Sequence, residues 1–301
     1  MLAYAAFRLG CLIAPRIPAK LGYALFSFFG TLAYIIAKPA RAAVEANLAR
    51  VLGPGAGENR VRVVARQTFR NAAKNYYDLF RLPRLPASQV ERILTIHHWE
   101  RLEQALAEGR GLILATAHFG NFDLVGQVLA GRAFQVTALA EPLEPPRLFR
   151  LVMSLRNCQG LSFEPVGPAA LRSVLRALRR GEIVGLACDR DLQGNGLKLP
   201  FFGEEARLPA GAVYLALKTG APIVPAFVVR HRNNTFTAFV EEPIRVSETE
   251  SENEEEAVRL GAQTIAALLE KYISRYPDQW IVFDPIWKDA SQRELGVYCE
   301  R

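Results

Sequence analysis

From about Ile93 onward, short apolar runs alternate with segments whose apolar residues recur every three or four positions. "ILTIHH", "GLILATAH", "FQVTALAEP", "IVGLACD", "PIVPAFVVR" and "TFTAFVEEPI" have the length and β-branched content of strands. Between them "WERLEQALAEGR", "FDLVGQVLAGR", "PRLFRLVMSLRNCQG", "PAALRSVLRALRRGE" and "GAVYLALKTG" carry the helical period, and a C-terminal helix is predicted over 254–275. Nearly continuous apolar strands separated by helices require a sheet covered on both faces. The predicted fold is therefore α/β, with a mixed, largely parallel sheet flanked by helices. No fixed-period repeat interrupts it.

The first ninety residues read differently. "KPARAAVEANLARVLG" is a helix stopped by Gly53-Pro54, and "ENRVRVVARQTFRNAAKNYYDLFRLP" is an amphipathic helix ended at Pro83. Ahead of them, "LGYALFSFFGTLAYIIA" runs uncharged for seventeen residues between Lys20 and Lys38, after the almost equally apolar "MLAYAAFRLGCLIAPRIP". A bilayer span needs about 20 apolar residues, so this run, broken by Gly22, Ser27, Gly30 and Thr31, is borderline. It lies too far from the start, with too cationic a far flank, for a simple cleaved signal peptide. Two readings remain: an interfacial anchor with basic flanks, or a buried core hairpin. Under the first, residues 1–40 form an apolar membrane-associating helical segment and residues 41–301 the α/β catalytic domain.

Charge supports the membrane reading. Residues 1–95 hold 14 Lys and Arg against 4 Asp and Glu, a balance of +10 in a chain whose total is +7, so the remainder sums to −3. A local basic surface suits anionic lipid or nucleic acid, but no nucleic-acid motif accompanies it, and the neighbouring apolar run favours lipid. Half the residues are hydrophobic, which excludes disorder. Cys11, Cys158, Cys188 and Cys299 have neither metal-ligand spacing nor a disulfide framework, as expected of reduced cysteines facing the cytosol.

The chemistry concentrates in "TAHFGNFDL". A five-residue spacing does not put His118 and Asp123 on one face of a regular helix, because helical neighbours lie three and four apart. The pair makes sense if a helix begins between them. His118 then ends the strand, Asn121 caps the helix, and Asp123 in the first turn leans back toward the imidazole. The carboxyl edge of an open α/β sheet is where ligands bind. A carboxylate on one ring nitrogen fixes the tautomer and leaves the other as a general base. This is a base and its orienter without a protein nucleophile, so the hydroxyl to be activated belongs to the substrate. The competing reading is a polar turn between strand and helix.

"TAHFGNFDL" resembles the histidine–aspartate block of the lipid A biosynthesis acyltransferase family, which has the glycerolipid acyltransferase fold. "ANLARVLG" and "FRNAAKNYYDLFRLP" resemble its N-terminal blocks. "ACDRDLQGNGLKLPFFGEEARLPAGAVYLALKTGAPIVPAFVVR" is similar to its central block and "YPDQWIVFDPIW" to its C-terminal signature. The "DRDL…FFGEEARLPAG" wording and "DPIW" are most similar to the phosphatidylinositol mannoside branch.

The resemblance implies a membrane-associated O-acyltransferase on the cytoplasmic face, peripheral or monotopic. It would move a fatty acyl chain from acyl-CoA to a sugar hydroxyl of a glycolipid, with no metal or cofactor. His118 and Asp123 match the base and its partner. Glu141 and Arg156 match positions in the active-site groove, and Asp189 an acidic position that is Glu in some relatives. Arg156 and Arg190 are candidates for holding a phosphate of donor or acceptor. The absence of an F-P-E-G-T block counts against a glycerol-phosphate acceptor.

Other readings stay open: a lauroyl or myristoyl transferase acting on a Kdo-lipid IVA type acceptor from acyl carrier protein, a hydrolase, or a non-catalytic lipid-binding membrane-surface protein. Locally, Arg156 reads equally as a surface arginine, Glu141 as the start of a loop, and Asp189-Arg190-Asp191 as a solvated charge cluster.

Overall fold

The computed structural model describes residues 2–157, 161–247 and 253–287. Its centre is a seven-stranded sheet formed by β1 (Leu94–His97), β2 (Leu112–Thr116), β3 (Val136–Ala140), β4 (Leu161–Pro165), β5 (Ile183–Ala187), β8 (Ile223–Arg230) and β9 (Phe236–Val240). The order is β1-β9-β8-β2-β5-β3-β4. All neighbours are parallel except β8 and β9, which pair antiparallel across a short turn. The sheet is mixed and largely parallel, as its apolar strands predict. All eight residues of β8 are buried, as suits a strand near the middle of a sheet with both faces covered.

Helices α6 (Trp99–Ala107), α7 (Phe122–Gly131), α9 (Pro168–Arg179), α10 (Gly211–Thr219) and α11 (Glu254–Arg275) cover the sheet. Two features escape the hydrophobic pattern. "LSFEP" forms β4, an edge strand with one fully buried residue, Leu161. The stretch after "DRDLQGNG" forms an antiparallel hairpin, β6 (Leu197–Phe201) and β7 (Glu204–Leu208), where exposed residues alternate with the buried Leu199, Phe201, Ala206 and Leu208. Short half-polar strands carry little periodic signal.

At the N-terminus, α1 (Leu2–Ile13), α2 (Ala19–Ile36), α3 (Lys38–Leu52) and α4 (Glu58–Arg81) form a helical layer. The α2 helix is long and apolar enough to cross a membrane by length and composition, yet its small and polar face is buried. Gly22, Tyr23, Ser27, Gly30 and Tyr34 turn toward the protein. A side chain at Gly22 would come within 2.1 Å of the Tyr77 ring, and one at Gly30 within 2.5 Å of the Phe69 carbonyl oxygen, so glycines set the close approach of α2 to α4. The large apolar residues face outward instead. Leu21, Phe28, Phe29, Leu32, Ile35 and Ile36 are 41% to 66% exposed, and Leu9, Leu12 and Ile13 of α1 add to them. Helices α1 and α2 thus pack against α4 and also present an apolar outer face. Of the cysteines, Cys11 is half-buried and Cys188 buried, both free; Cys158 and Cys299 lie outside the described residues.

Candidate active site

The β2 strand is flanked by β5 on one side and β8 on the other, and the chain leaves it through α7 to reach β3 beyond β5. Connections diverge at this point, and the crevice at the carboxyl ends of such strands is where open α/β sheets bind ligands. His118 stands there, two residues past the end of β2. The turn after it is sharp. Gly120 has φ +58°, and a Cβ there would sit 1.6 Å from the Val228 carbonyl oxygen, so only glycine fits.

The turn is tied from several sides. The His118 carbonyl accepts from the Ile281 amide at 2.7 Å, and the Gly120 amide donates to the Gln279 carbonyl at 2.9 Å. Asn75 donates to the Gly120 carbonyl. Residues 279–281 thereby fasten the C-terminal "YPDQWIVFDPIW" segment onto the turn.

The carboxylate beside the imidazole is Asp189. Its Oδ1 lies 2.9 Å from His118 Nδ1, while its Oδ2 accepts from the His118 amide at 3.0 Å and from Trp280 Nε1 at 2.9 Å. Asp189 is fully buried. Burial alone would raise its pKa, but the charge of His118 and these three hydrogen bonds outweigh it and hold the carboxyl below its ordinary value. An ionised Asp189 accepts a hydrogen bond from Nδ1–H of His118, which leaves Nε2 as the ring nitrogen facing a ligand.

Asp123 does not take the role that the five-residue spacing predicts. Its Oδ2 accepts a 3.3 Å hydrogen bond from Arg156 Nη2, and its Oδ1 lies 2.9 Å from Arg156 Nε at an angle outside hydrogen-bonding range. The contact is an ion pair with one weak hydrogen bond. The first turn of α7 carries Asp123 away to a cation that α8 (Pro146–Arg156) delivers from elsewhere in the sequence. The Arg156 guanidinium also lies over the rings of Phe122 and Phe163, at 5.5 and 5.2 Å. Asn121 occupies the N-cap position of α7 without a side-chain capping hydrogen bond, and its side-chain amide donates to Asp78 at 2.8 Å.

The remaining expected residues gather at the same edge. Arg190 bonds Glu141 at 3.1 Å and Asp284 at 2.5 Å, bridging the ends of β3 and the C-terminal segment. Both arginines expected to hold phosphate, Arg156 and Arg190, are thus already paired with carboxylates of this chain. The sequence reading missed Trp280 and Gln279, which lie in the C-terminal block it singled out, and the buried pair Asp78–Arg230, whose only local signal is a lone carboxylate inside "NYYDLF".

His118, Asp123, Glu141, Arg156 and Arg190 line a cavity of about 1300 Å³. Leu114, Val125, Leu129, Val136, Leu161 and Phe163 make one wall apolar, deep between the sheet and α7. An imidazole held on a buried carboxylate, with no protein nucleophile in the pairing, stands at the mouth of a largely apolar cavity, an arrangement able to activate a bound hydroxyl beside a hydrophobic ligand.

The family follows from comparison with known proteins. Residues 2–289 match the model of the bacterial lipid A biosynthesis acyltransferase family, and the chain belongs to that family. A phosphatidylinositol mannoside acyltransferase of Mycobacterium tuberculosis (strain ATCC 25618 / H37Rv) is 35% identical over 188 residues, 60% of this chain and 58% of the relative's length. The protein of the same name from Mycolicibacterium smegmatis is 29% identical over 258 residues, 83% of this chain and 82% of the relative. The Escherichia coli (strain K12) lipid A biosynthesis palmitoleoyltransferase is 24% identical over 285 residues, 93% of this chain and 90% of that protein. The match thus spans less than two thirds of the M. tuberculosis relative.

Proposed function

We propose that this protein transfers a fatty acyl chain from acyl-CoA to a sugar hydroxyl of a membrane glycolipid of the phosphatidylinositol mannoside type, at the cytoplasmic face of the membrane. The observation that carries the reading is the imidazole of His118, fixed through Nδ1 on the buried Asp189 and lining an apolar cavity with Nε2 open.

Nε2 removes the proton of the acceptor hydroxyl as its oxygen attacks the thioester carbonyl carbon. Asp189 stabilises the imidazolium that forms. Collapse of the tetrahedral intermediate breaks the C–S bond, and the Nε2 proton passes to the departing thiolate. The thioester supplies the driving force, so the reading assigns no metal or cofactor.

The oxyanion needs donors. The amides of His118, Phe119 and Gly120 are all engaged, by Asp189, the Ala117 carbonyl and the Gln279 carbonyl. The Phe122 and Asp123 amides at the head of α7 have no acceptor within the helix, and the helix dipole favours negative charge there. The apolar wall between the sheet and α7 takes the acyl chain. The exposed face of α1 and α2 rests on the lipid surface with Arg16, Lys20, Lys38 and Arg41 near its edges.

The similarity to the E. coli palmitoleoyltransferase over 93% of the chain favours a second reading, transfer to a lipid A precursor from acyl carrier protein. Incubation with palmitoyl-CoA or palmitoyl-carrier protein, against phosphatidylinositol mannoside or a Kdo-lipid IVA type acceptor, separates the readings by mass spectrometry of the products. Acylated mannoside from palmitoyl-CoA is the expected product. Free fatty acid alone, or acylation of the lipid A precursor alone, overturns the first reading.

A further inference from the structure

A second buried polar cluster lies behind the catalytic turn, and the acyl-transfer steps above do not use it. Asp78 of α4 and Arg230 at the end of β8 form an ion pair at 2.6 Å, with both side chains 3% exposed. Around them, Tyr23 of α2 donates to Asp78 Oδ1 at 2.7 Å, and Asn121 donates to Asp78 Oδ2 at 2.8 Å. Arg230 Nη2 also donates to Asn75 Oδ1 at 2.7 Å, and Asn75 in turn donates to the Gly120 carbonyl. The Arg230 backbone is held in both directions by the Gln279 side chain, which donates to its carbonyl at 2.8 Å and accepts from its amide at 2.7 Å.

An ion pair in an apolar interior is a poor way to gain stability, since well-packed apolar residues do as well or better. What this pair does is geometric. Each of its members reaches the chain immediately after His118, Asp78 through Asn121 and Arg230 through Asn75 and Gly120. The other carboxylate oxygen of Asp78 reaches Tyr23, on the helix whose opposite face is exposed and apolar.

We infer that Asp78 and Tyr23 are positioning residues: a hydrogen-bonded chain Tyr23–Asp78–Asn121 sets the 118–121 turn, and with it the alignment of His118 on Asp189, from the N-terminal helix. The inference rests on the reading of His118 as the base. Under it, α2 is part of the catalytic machinery as well as a lipid-facing element, and a shift of α2 is transmitted to the imidazole across two hydrogen bonds.

The test uses the full-length protein in detergent or on vesicles. Asp78→Asn leaves the Arg230 charge buried without its partner and can fail to fold. Tyr23→Phe removes a single hydroxyl and keeps the ion pair, so it carries the experiment, with Thr31→Val as a control elsewhere in α2. Two readouts are taken on folded protein: kcat with the KM for palmitoyl-CoA, and the downfield Nδ1 proton resonance of His118, assigned by its loss in His118→Ala. Tyr23→Phe is expected to lower kcat by on the order of tenfold, with the donor KM within about twofold, because misplacing a base costs turnover rather than binding. It should also shift or broaden the Nδ1 proton, while Thr31→Val changes neither. A Tyr23→Phe protein with wild-type kcat and an unmoved Nδ1 resonance overturns the inference, even where its melting temperature falls. If the wild-type protein transfers no acyl group, the proposed function fails, and the resonance alone still decides whether Tyr23 positions the imidazole.

Discussion

His118 and Asp189, 71 residues apart in the chain, meet with Nδ1 and Oδ1 at 2.9 Å, and the second Asp189 oxygen is held by the His118 amide and the Trp280 indole. The carboxylate therefore has no freedom to choose another partner. It binds backbone and ring of the same histidine, which fixes both the position and the tautomer of the imidazole.

This geometry ranks the two aspartates. His118→Ala should reduce acyl transfer by roughly 10²–10⁴-fold, the usual contribution of a general base. Asp189→Asn should cost a similar factor in kcat, since an amide there must turn an NH₂ group toward existing donors or toward Nδ1. Asp123→Asn should cost less in kcat, because its effect passes through Arg156. Steady-state kinetics on the three purified variants, with folding checked by circular dichroism, measures the order. A larger kcat loss for Asp123→Asn than for Asp189→Asn would assign the orienting role to Asp123.

The same pair predicts how stability depends on acid. The Asp189 carboxyl is held below its ordinary value of 3.8, so the folded state binds this proton less readily than the unfolded chain. Its contribution to stability is therefore complete above that ordinary value and is lost as pH falls through the lower folded value. Urea unfolding between about pH 7 and pH 3 should show a loss of stability in the wild type that is smaller in Asp189→Asn. Equal acid sensitivity of the two proteins would refute the assignment.

Gly120→Ala tests the turn itself. The added methyl would lie 1.6 Å from the Val228 carbonyl oxygen, at a φ of +58° that disfavours any side chain. Central strand β8 cannot yield that far, so a loss above about 4 kcal/mol is expected, the range reserved for severe steric conflicts. Thermal melting and the soluble yield measure it. A folded, active Gly120→Ala protein would show that the turn is not held as described.

The outward face of α2 gives an independent prediction. Phe28→Ser and Phe29→Ser remove exposed aromatic rings and leave the buried residues of α2, Gly22, Tyr23, Ser27, Gly30 and Tyr34, in place. Each ring is worth up to about 1.5–3 kcal/mol when fully buried in an apolar phase, so the double variant should bind anionic vesicles at least tenfold more weakly with its melting temperature unchanged. Deleting residues 1–38, by contrast, should destabilise the domain, because it strips Tyr23 from Asp78 and uncovers the α4 face that Gly22 and Gly30 pack against. Vesicle co-sedimentation and calorimetry distinguish the two effects.

The fold class was legible in the chain because the buried parallel strands β2, β5 and β8 need continuous apolar runs, and a helix that covers a sheet must show its 3.6-residue period. The His118–Gly120–Asn121 turn was legible for the same local reason, since a strand, a glycine and a helix start follow one another in sequence. The family resemblance likewise followed from blocks read in order, and residues 2–289 match that family's model. The partners of those residues were not legible. Hydrophobic period says which face of an element is buried but not which element comes to lie against it. Asp189 reaches His118 only because β5 inserts beside β2, and Trp280 reaches Asp189 because the C-terminal segment folds back over the turn. Asp123, five residues from His118, turns to Arg156 because the first turn of α7 points it toward α8. In the same way α2 reads in isolation as an apolar stretch at the edge of spanning length, and only its packing on α4 separates the Gly/Ser/Tyr face that faces the protein from the Leu/Phe/Ile face that remains exposed.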